Sequence, residues 1–247
     1  MIAFFITNLL MSYSIIIPIH NEEKQIPFLL ENITPLSINH EIIIIDDGST
    51  DGSLVHLDRC SFITLIKHDN KLGKGQAIRT GLDIAKNDKI ILFDGDMELN
   101  PIELPTIMVL NKEENIDVVF GTRLNFLSPL NTIFDFGNFL LNGFFNFLNQ
   151  SNYSDVLCGC KAFYKSDLAE RMPYSIGFDI DVEIASNLVK NKKRIIEIPI
   201  SYSRRSQSEG KKLNVLDGWL ILKRMLFTLK YKKRLHNEPF FYQSNCF

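Results

Sequence analysis

Lys89-Ile90-Ile91-Leu92-Phe93 runs without interruption into Asp94-Gly95-Asp96. A buried strand that stops at two carboxylates one residue apart presents oxygen ligands at the carboxyl edge of a sheet, and open α/β sheets bind their ligands at that edge. Hard divalent cations take carboxylate oxygens and usually share them with substrate phosphates. The spacing therefore suggests a metal that holds a diphosphate. The tripeptide alone carries little weight, because D-x-D is expected about once by chance in a chain of this length. Asp179-Ile180-Asp181 is indeed a second copy. The surroundings of the first copy set it apart.

Outward from this run, short β-branched stretches alternate with helix-like ones, the pattern of a mostly parallel sheet covered by helices. Residues 14–18, 41–46, 62–66, 89–93 and 117–120 are the expected strands. Each is a continuous apolar run, as strands buried on both faces require. Residues 22–31, 75–85 and 101–112 are the expected helices, with Pro101 in a first turn where a missing N–H costs nothing. The order changes after Arg123. Residues 130–148 are rich in Phe and Leu with a helical period, 162–164 suggest a short strand, 181–190 a helix and 194–200 a last strand. Residues 201–212 suggest a mobile polar, basic loop, and 214–235 a basic amphipathic helix. Without a repeat or a low-complexity linker, the expected organisation is one domain over 12–235, an apolar extension over 1–11 and a tail over 236–247.

Composition agrees with this reading. The chain has 247 residues, 45% of them hydrophobic, enough for one α/β domain with a sizeable core. A net charge of −2 gives no global sign of a nucleic-acid partner. Cys60, Cys158, Cys160 and Cys246 show no disulfide-framework spacing. Cys158-Gly159-Cys160 lacks the second Cys/His pair that a zinc site needs, so reduced thiols in a cytoplasmic protein are expected. The apolar start is too short to span a bilayer and lacks the basic region and cleavage site of a signal peptide. A soluble or peripheral protein is expected.

Four segments fall at successive strand ends. They are Pro18-Ile19-His20-Asn21-Glu22-Glu23, Asp46-Asp47-Gly48-Ser49-Thr50-Asp51-Gly52, Asn70-Lys71-Leu72-Gly73-Lys74-Gly75-Gln76-Ala77 and Asp94-Gly95-Asp96. All converge on one rim of the expected sheet. Asp46 or Asp47 there can accept hydrogen bonds from a base or a ribose. Gly73-Lys74-Gly75 offers N–H groups and positive charge beside a helix N-terminus, which favours anions. Each piece also has a plain reading, as a turn with a helix cap or as a solvated loop. Neither the P-loop spacing nor G-x-G-x-x-G is present.

In this order, Ile-Pro-Ile-His-Asn-Glu, Ile-Asp-Asp-Gly-Ser-Thr-Asp, Gly-Lys-Gly-Gln-Ala and Asp-Gly-Asp resemble glycosyltransferase family 2, inverting enzymes of the GT-A fold. The resemblance covers roughly residues 12–235 and looks nearest to the dolichyl- or polyprenyl-phosphate sugar synthases. It implies a Rossmann-like, mostly parallel α/β sheet flanked by helices, with an acceptor-side segment and a C-terminal amphipathic helix. It implies that Pro18, His20, Glu22 and Asp46 or Asp47 border the nucleotide, and that Asp94 and Asp96 hold Mg2+ or Mn2+ on the donor diphosphate. Gly95 and Glu98 lie beside that metal, and Lys74 is placed for the anion. Gly121-Thr122-Arg123 stands where the family has Gly-Ser-Arg, which places Arg123 for phosphate contact. Residues 155–163 fit the acceptor-side segment. Phe178-Asp179-Ile180-Asp181-Val182-Glu183 resembles the Phe-Asp-x-Glu element, with Asp181 favoured ahead of Asp179 and Glu183. Arg205 and Lys211 belong to a stretch that resembles a basic loop closing over the diphosphate, although solvated surface charge is its plain reading.

The implied reaction is attack on the anomeric carbon with inversion, carried by Asp181, Arg123 and Asp96. A hydroxyl acceptor needs a carboxylate to remove its proton, whereas a lipid phosphate already arrives as an anion. The mixed apolar and basic run from Gly218 to Leu235 suits an anionic membrane surface, and residues 134–148 offer a second apolar surface. A polyprenyl phosphate at the cytoplasmic face of a membrane is therefore the expected acceptor, with a hydroxyl of a glycan or cell-envelope polysaccharide as the alternative. Many relatives carry transmembrane helices after the catalytic domain, and this sequence does not. A nucleotidyltransferase and a non-catalytic sugar-nucleotide binder are the rival readings. The donor base and sugar stay open.

Overall fold

The computed structural model of the chain describes residues 12–123, 132–168, 172–205 and 215–237. Its seven strands are β1 (Tyr13–Ile19), β2 (Glu41–Asp46), β3 (Ile63–Lys67), β4 (Lys89–Leu92), β5 (Val118–Thr122), β6 (Lys161–Tyr164) and β7 (Ile195–Pro199). They form one sheet in the order β3-β2-β1-β4-β6-β5-β7. β1 pairs in parallel with β2 and β4, β2 with β3, and β5 with β7. Only β6 runs against its neighbours. A mostly parallel sheet flanked by helices is the expected class, and the carboxyl ends of β1, β2 and β4 open on one rim.

Alternation along each strand sends successive side chains to opposite faces, and both faces are covered. Ile15, Ile17, Ile42, Ile44 and Ile91 pack with Ile26, Leu29 and Ile33 of α1 (Ile26–Ile33). Ile16, Ile43, Ile45, Ile90 and Leu92 pack on the other face. They meet Ala77, Ile78 and Leu82 of α3 (Lys74–Ile84), and Val182, Ile184 and Leu188 of α6 (Ile180–Lys190). This double coverage is why β1, β2 and β4 read as unbroken apolar runs. The edge strands β3 and β7 are only half-buried and end in Lys67 and the ladder-breaking Pro199.

The remaining helices are α2 (Ser53–Leu57), α4 (Leu104–Ile107), α5 (Ile133–Asn149) and α7 (Val215–Asn237). Three elements depart from expectation. The helix expected from residue 22 begins only at Ile26, because Glu22 to Gln25 form a turn closed on the Glu22 carbonyl. The short α2 follows a segment whose turn residues alone were conspicuous. The helix expected over 101–112 shrinks to a 3₁₀ turn, Pro101–Glu103, capped by Asn100, followed by the four residues of α4. Tertiary partners end it: the Tyr13 hydroxyl accepts from the Leu110 N–H, and Lys89 Nζ donates to the Leu110 carbonyl. Among the described residues, no helix is long and apolar enough to cross a membrane.

Gly81 shows how closely α3 lies on the sheet, since a Cβ there would collide with Cγ2 of Ile16 in β1. Gly81→Val is expected to destabilise the fold by about 1–3 kcal/mol through overpacking, read as a lower urea midpoint with an unchanged m-value.

Candidate active site

The rim holds a cavity of about 390 Å³. Pro18, His20 and Glu22 reach it from the end of β1, Asp47 from β2, and Asp94, Gly95, Asp96 and Glu98 from β4. Arg123 follows β5, Lys74 opens α3, Asp181 lies in the first turn of α6, and Arg205 follows β7. Asp46 is buried beneath this lining; its Oδ2 accepts from Ser49 N, and its Oδ1 has no hydrogen-bond partner. Lys211 lies outside the described residues. So does most of the loop expected over 201–212. The described part is held in place: Tyr202 bridges to Leu99, and Ser201 bonds to Glu103.

Asp47 shapes the rim. Its two oxygens accept from Leu72 N and Gly73 N, each at 2.8 Å, and His68 Nδ1 stands 2.9 Å from Oδ1. The Gly75 N–H donates to the Ile176 carbonyl. The Gly73 and Gly75 amides are therefore spent on folding the loop, contrary to the expectation that they face an anion. What this turn presents to the cavity is the Lys74 side chain.

Lys74 Nζ lies 2.8 Å from Asp94 Oδ1, 2.9 Å from Asp94 Oδ2 and 2.8 Å from Asp181 Oδ2. Burial alone would lower the ammonium pKa; Asp181 and Asp94 outweigh it and keep Lys74 charged. Asp181 is nevertheless raised, chiefly by burial, because its ammonium partner is shared with a second carboxylate. Its Oδ1 is buried without a hydrogen-bond partner. The neighbouring acids are committed elsewhere. Asp179 accepts from Arg224 Nε at 2.8 Å, and Glu183 accepts from the amides of Tyr174 and Ser175. Of the three acids that the sequence left in competition, only Asp181 lines the cavity.

Asp96 and Glu98 also line the cavity, with Glu98 N donating to Asp96 Oδ1 at 3.0 Å. Burial, then the charges of Asp94 and Glu98, push the Asp96 carboxyl up to about 7. Arg205 answers part of this charge. Its guanidinium grips both oxygens of Glu22 at 2.7 and 3.1 Å and lies 3.7 Å from Asp96 Oδ2. Among the described residues, seven carboxylates line the cavity (Glu22, Asp47, Asp94, Asp96, Glu98, Asp181 and Asp217) against four cationic side chains (Lys71, Lys74, Arg123 and Arg205). Such a surplus of hard oxygen donors fits Mg2+ or Mn2+ held by one or two carboxylates and completed by substrate phosphate. Among the described residues no group of three or more His, Cys, Asp or Glu side chains is built to hold a metal unaided.

Several partners were not legible in the sequence. Asp155 clamps Arg123, accepting from Nε at 2.7 Å, Nη2 at 3.0 Å and the backbone N–H at 3.1 Å. The Tyr202 ring lies 5.4 Å from the same guanidinium. Gly159 has no side chain because Asp94 fills the space that a Cβ would need. The only available signal was that Asp155 and Gly159 fall inside the acceptor-side segment.

Sequence comparison agrees with the fold. The sequence model of the family described as "Glycosyl transferase family 2" matches residues 14–172. The protein therefore belongs to glycosyl transferase family 2 and is a glycosyltransferase of the GT-A fold. It is 26% identical over 235 residues to the glycosyltransferase AglJ of Haloferax volcanii, covering 92% of this chain and 74% of AglJ. It is 36% identical over 118 residues to the uncharacterized glycosyltransferase sll0501 of Synechocystis, over 44% of this chain and 37% of that protein. In fold it is similar to glucosyl-3-phosphoglycerate synthase of Mycobacterium tuberculosis, solved with Mn2+, UDP-glucose and phosphoglyceric acid. That likeness has a TM-score of 0.69 at 18% identity and covers 89% of this chain and 80% of the synthase.

The Arg123–Asp155 pair carries a measurable share of stability. Burial would raise Asp155, but the Arg123 guanidinium outweighs it and holds the carboxyl below the ordinary range. The contribution is therefore complete above the unfolded value of about 3.9 and is lost as pH falls below it, through the lower folded value. Asp155→Ala is expected to cost about 3–5 kcal/mol near neutral pH by stranding a buried charge. Urea titrations across pH should show that difference shrinking below about pH 4.

Proposed function

We propose that the protein moves a sugar, with inversion, from a nucleoside-diphosphate sugar to a polyprenyl phosphate of the dolichyl or undecaprenyl type, with Mg2+ or Mn2+ as cofactor. The observation that carries this reading is the cavity itself, whose lining brings the carboxylates of Asp96, Glu98 and Asp181 together. Residues 12–235 act in it as one catalytic domain. A dinegative diphosphate does not enter a cavity with surplus carboxylates unless cations accompany it. The fold neighbour was solved with Mn2+ and UDP-glucose, which supports the same donor class here.

When bound, the metal would offset charge on the departing nucleoside diphosphate, held by Asp96 with Glu98 or Asp94 beside it. Asp94 has both oxygens on Lys74, so Glu98 is the better-placed second ligand. Pro18, His20, Glu22 and Asp47 border the nucleotide in this reading. Arg123, fixed by Asp155, adds positive charge for the phosphates, as preorganised dipoles and charges do in the transition state. Asp181 faces the incoming nucleophile. With a phosphate acceptor it positions the anion, and no proton has to be removed.

Two helix surfaces support a lipid acceptor. α5 exposes Phe136, Phe139, Leu140 and Phe147, and α7 exposes Trp219, Leu220, Leu226 and Phe227. The α7 sequence also carries Lys223, Arg224, Lys230, Lys232, Lys233 and Arg234. Apolar and basic groups together favour an anionic membrane surface, which would make the protein peripheral at the cytoplasmic face. A second reading, transfer to a hydroxyl of a glycan, is favoured by one observation: the partnerless, buried Oδ1 of Asp181 is available to accept a proton.

The test incubates the protein and membrane lipids with a panel of radiolabelled sugar nucleotides. Label is expected in the organic phase; label confined to a water-soluble glycan would replace the first reading with the second. Asp96→Ala is expected to keep the circular-dichroism spectrum and lose metal-dependent transfer by about a hundredfold or more, the scale on which loss of transition-state charge stabilisation acts. Near-normal turnover in that variant would remove the metal role of Asp96.

A further inference from the structure

The metal-facing carboxylates already have a cation. Arg205 grips Glu22 through Nη1 and Nη2, lies 3.7 Å from Asp96 Oδ2, and donates its backbone N–H to Glu98 Oε1 at 3.1 Å. Its Nε is buried without a hydrogen-bond partner, so the guanidinium is incompletely satisfied in this position. A Mg2+ ion on Asp96 would sit about 2.0–2.1 Å from the carboxylate oxygens. Two cations drawn to the same carboxylate with no anion between them repel at short range. A diphosphate changes that balance, because its oxygens can take the guanidinium donors bidentately. Metal and arginine then share an anion instead of competing for Asp96.

We propose that Arg205 is a placeholder for the divalent cation: in the donor-free protein the two exclude each other at Asp96, and a nucleoside diphosphate lifts the exclusion. The consequence is an ordering device. The metal binds weakly alone and tightly together with the nucleotide, and by linkage each strengthens the other by the same factor. The inference rests on the reading that Asp96 helps to hold the metal.

The test is equilibrium Mn2+ binding, read as loss of the free-ion signal in electron paramagnetic resonance. It is run with Mn2+ alone and with UDP or GDP added, on the wild type, Arg205→Met and Arg205→Lys, each checked by thermal melting. Arg205→Met is expected to bind Mn2+ alone at least about fivefold more tightly than the wild type, the lower end of ordinary coupling factors. Its gain on adding nucleotide should be smaller by the same factor, and Arg205→Lys, which keeps the charge, should stay close to the wild type. Equal or weaker Mn2+ binding by Arg205→Met would overturn the placeholder role while leaving the metal reading intact. Failure of every protein to retain Mn2+, with or without nucleotide, would overturn both.

Discussion

One ammonium group joins three of the elements that build the site. Lys74, at the start of α3, holds Asp94 after β4 and Asp181 at the start of α6. The network is partly buried, so each partner depends on the others: removing the cation would leave two carboxylates uncompensated, with Asp181 deeper than Asp94. The geometry around it follows. Asp94 is fixed against Gly159, Asp181 is aimed into the cavity, and the α3 N-terminus is anchored by Asp47 and by the carbonyl of Ile176.

Charge balance governs the rest of the cavity. Lys74 is divided between two acids, Arg123 is tied to Asp155, and Arg205 is divided between Glu22 and Asp96. Burial first, and then the charges of Asp94 and Glu98, which Arg205 offsets only in part, displace the Asp96 carboxyl upward. On the proposed function, such a surface would resist a bare diphosphate and admit one that brings a cation. The fold of a family 2 glycosyltransferase supplies the frame, and these few ion pairs set the charge of its cavity.

The terminal helix is bound into the same network. Arg224 of α7 donates to Asp179, two residues from Asp181, and stacks 4.4 Å from the Tyr174 ring centroid. Tyr174 meets Phe227 edge-on, and the Tyr174 and Ser175 amides are held by Glu183. The helix that exposes Trp219 and Leu220 therefore braces the segment that carries Asp181. A surface that engaged α7 would bear on a part of the site whose packing is already continuous with it.

Much of this was legible in the linear chain. Unbroken runs such as Glu41–Asp46 can only be strands covered on both faces, and their order with intervening helices defines a parallel sheet whose carboxyl rim collects Glu22, Asp47, Asp94 and Asp96. Local chemistry sufficed there, because periodicity and chain order are local properties. The expected helix over 101–112 was lost because Leu110 bonds to Tyr13 and Lys89, partners remote in sequence. Among Asp179, Asp181 and Glu183, which fall within one turn and a half of chain, the family resemblance favoured Asp181, but spacing alone could not separate the three. By itself, the sequence determined the strands along the chain, the rim and the family. Only the tertiary structure decided that Asp179 is taken by Arg224 and Glu183 by the Ser175 amide while Asp181 lines the cavity, because hydrogen bonds between distant residues obey distance and leave no periodic trace.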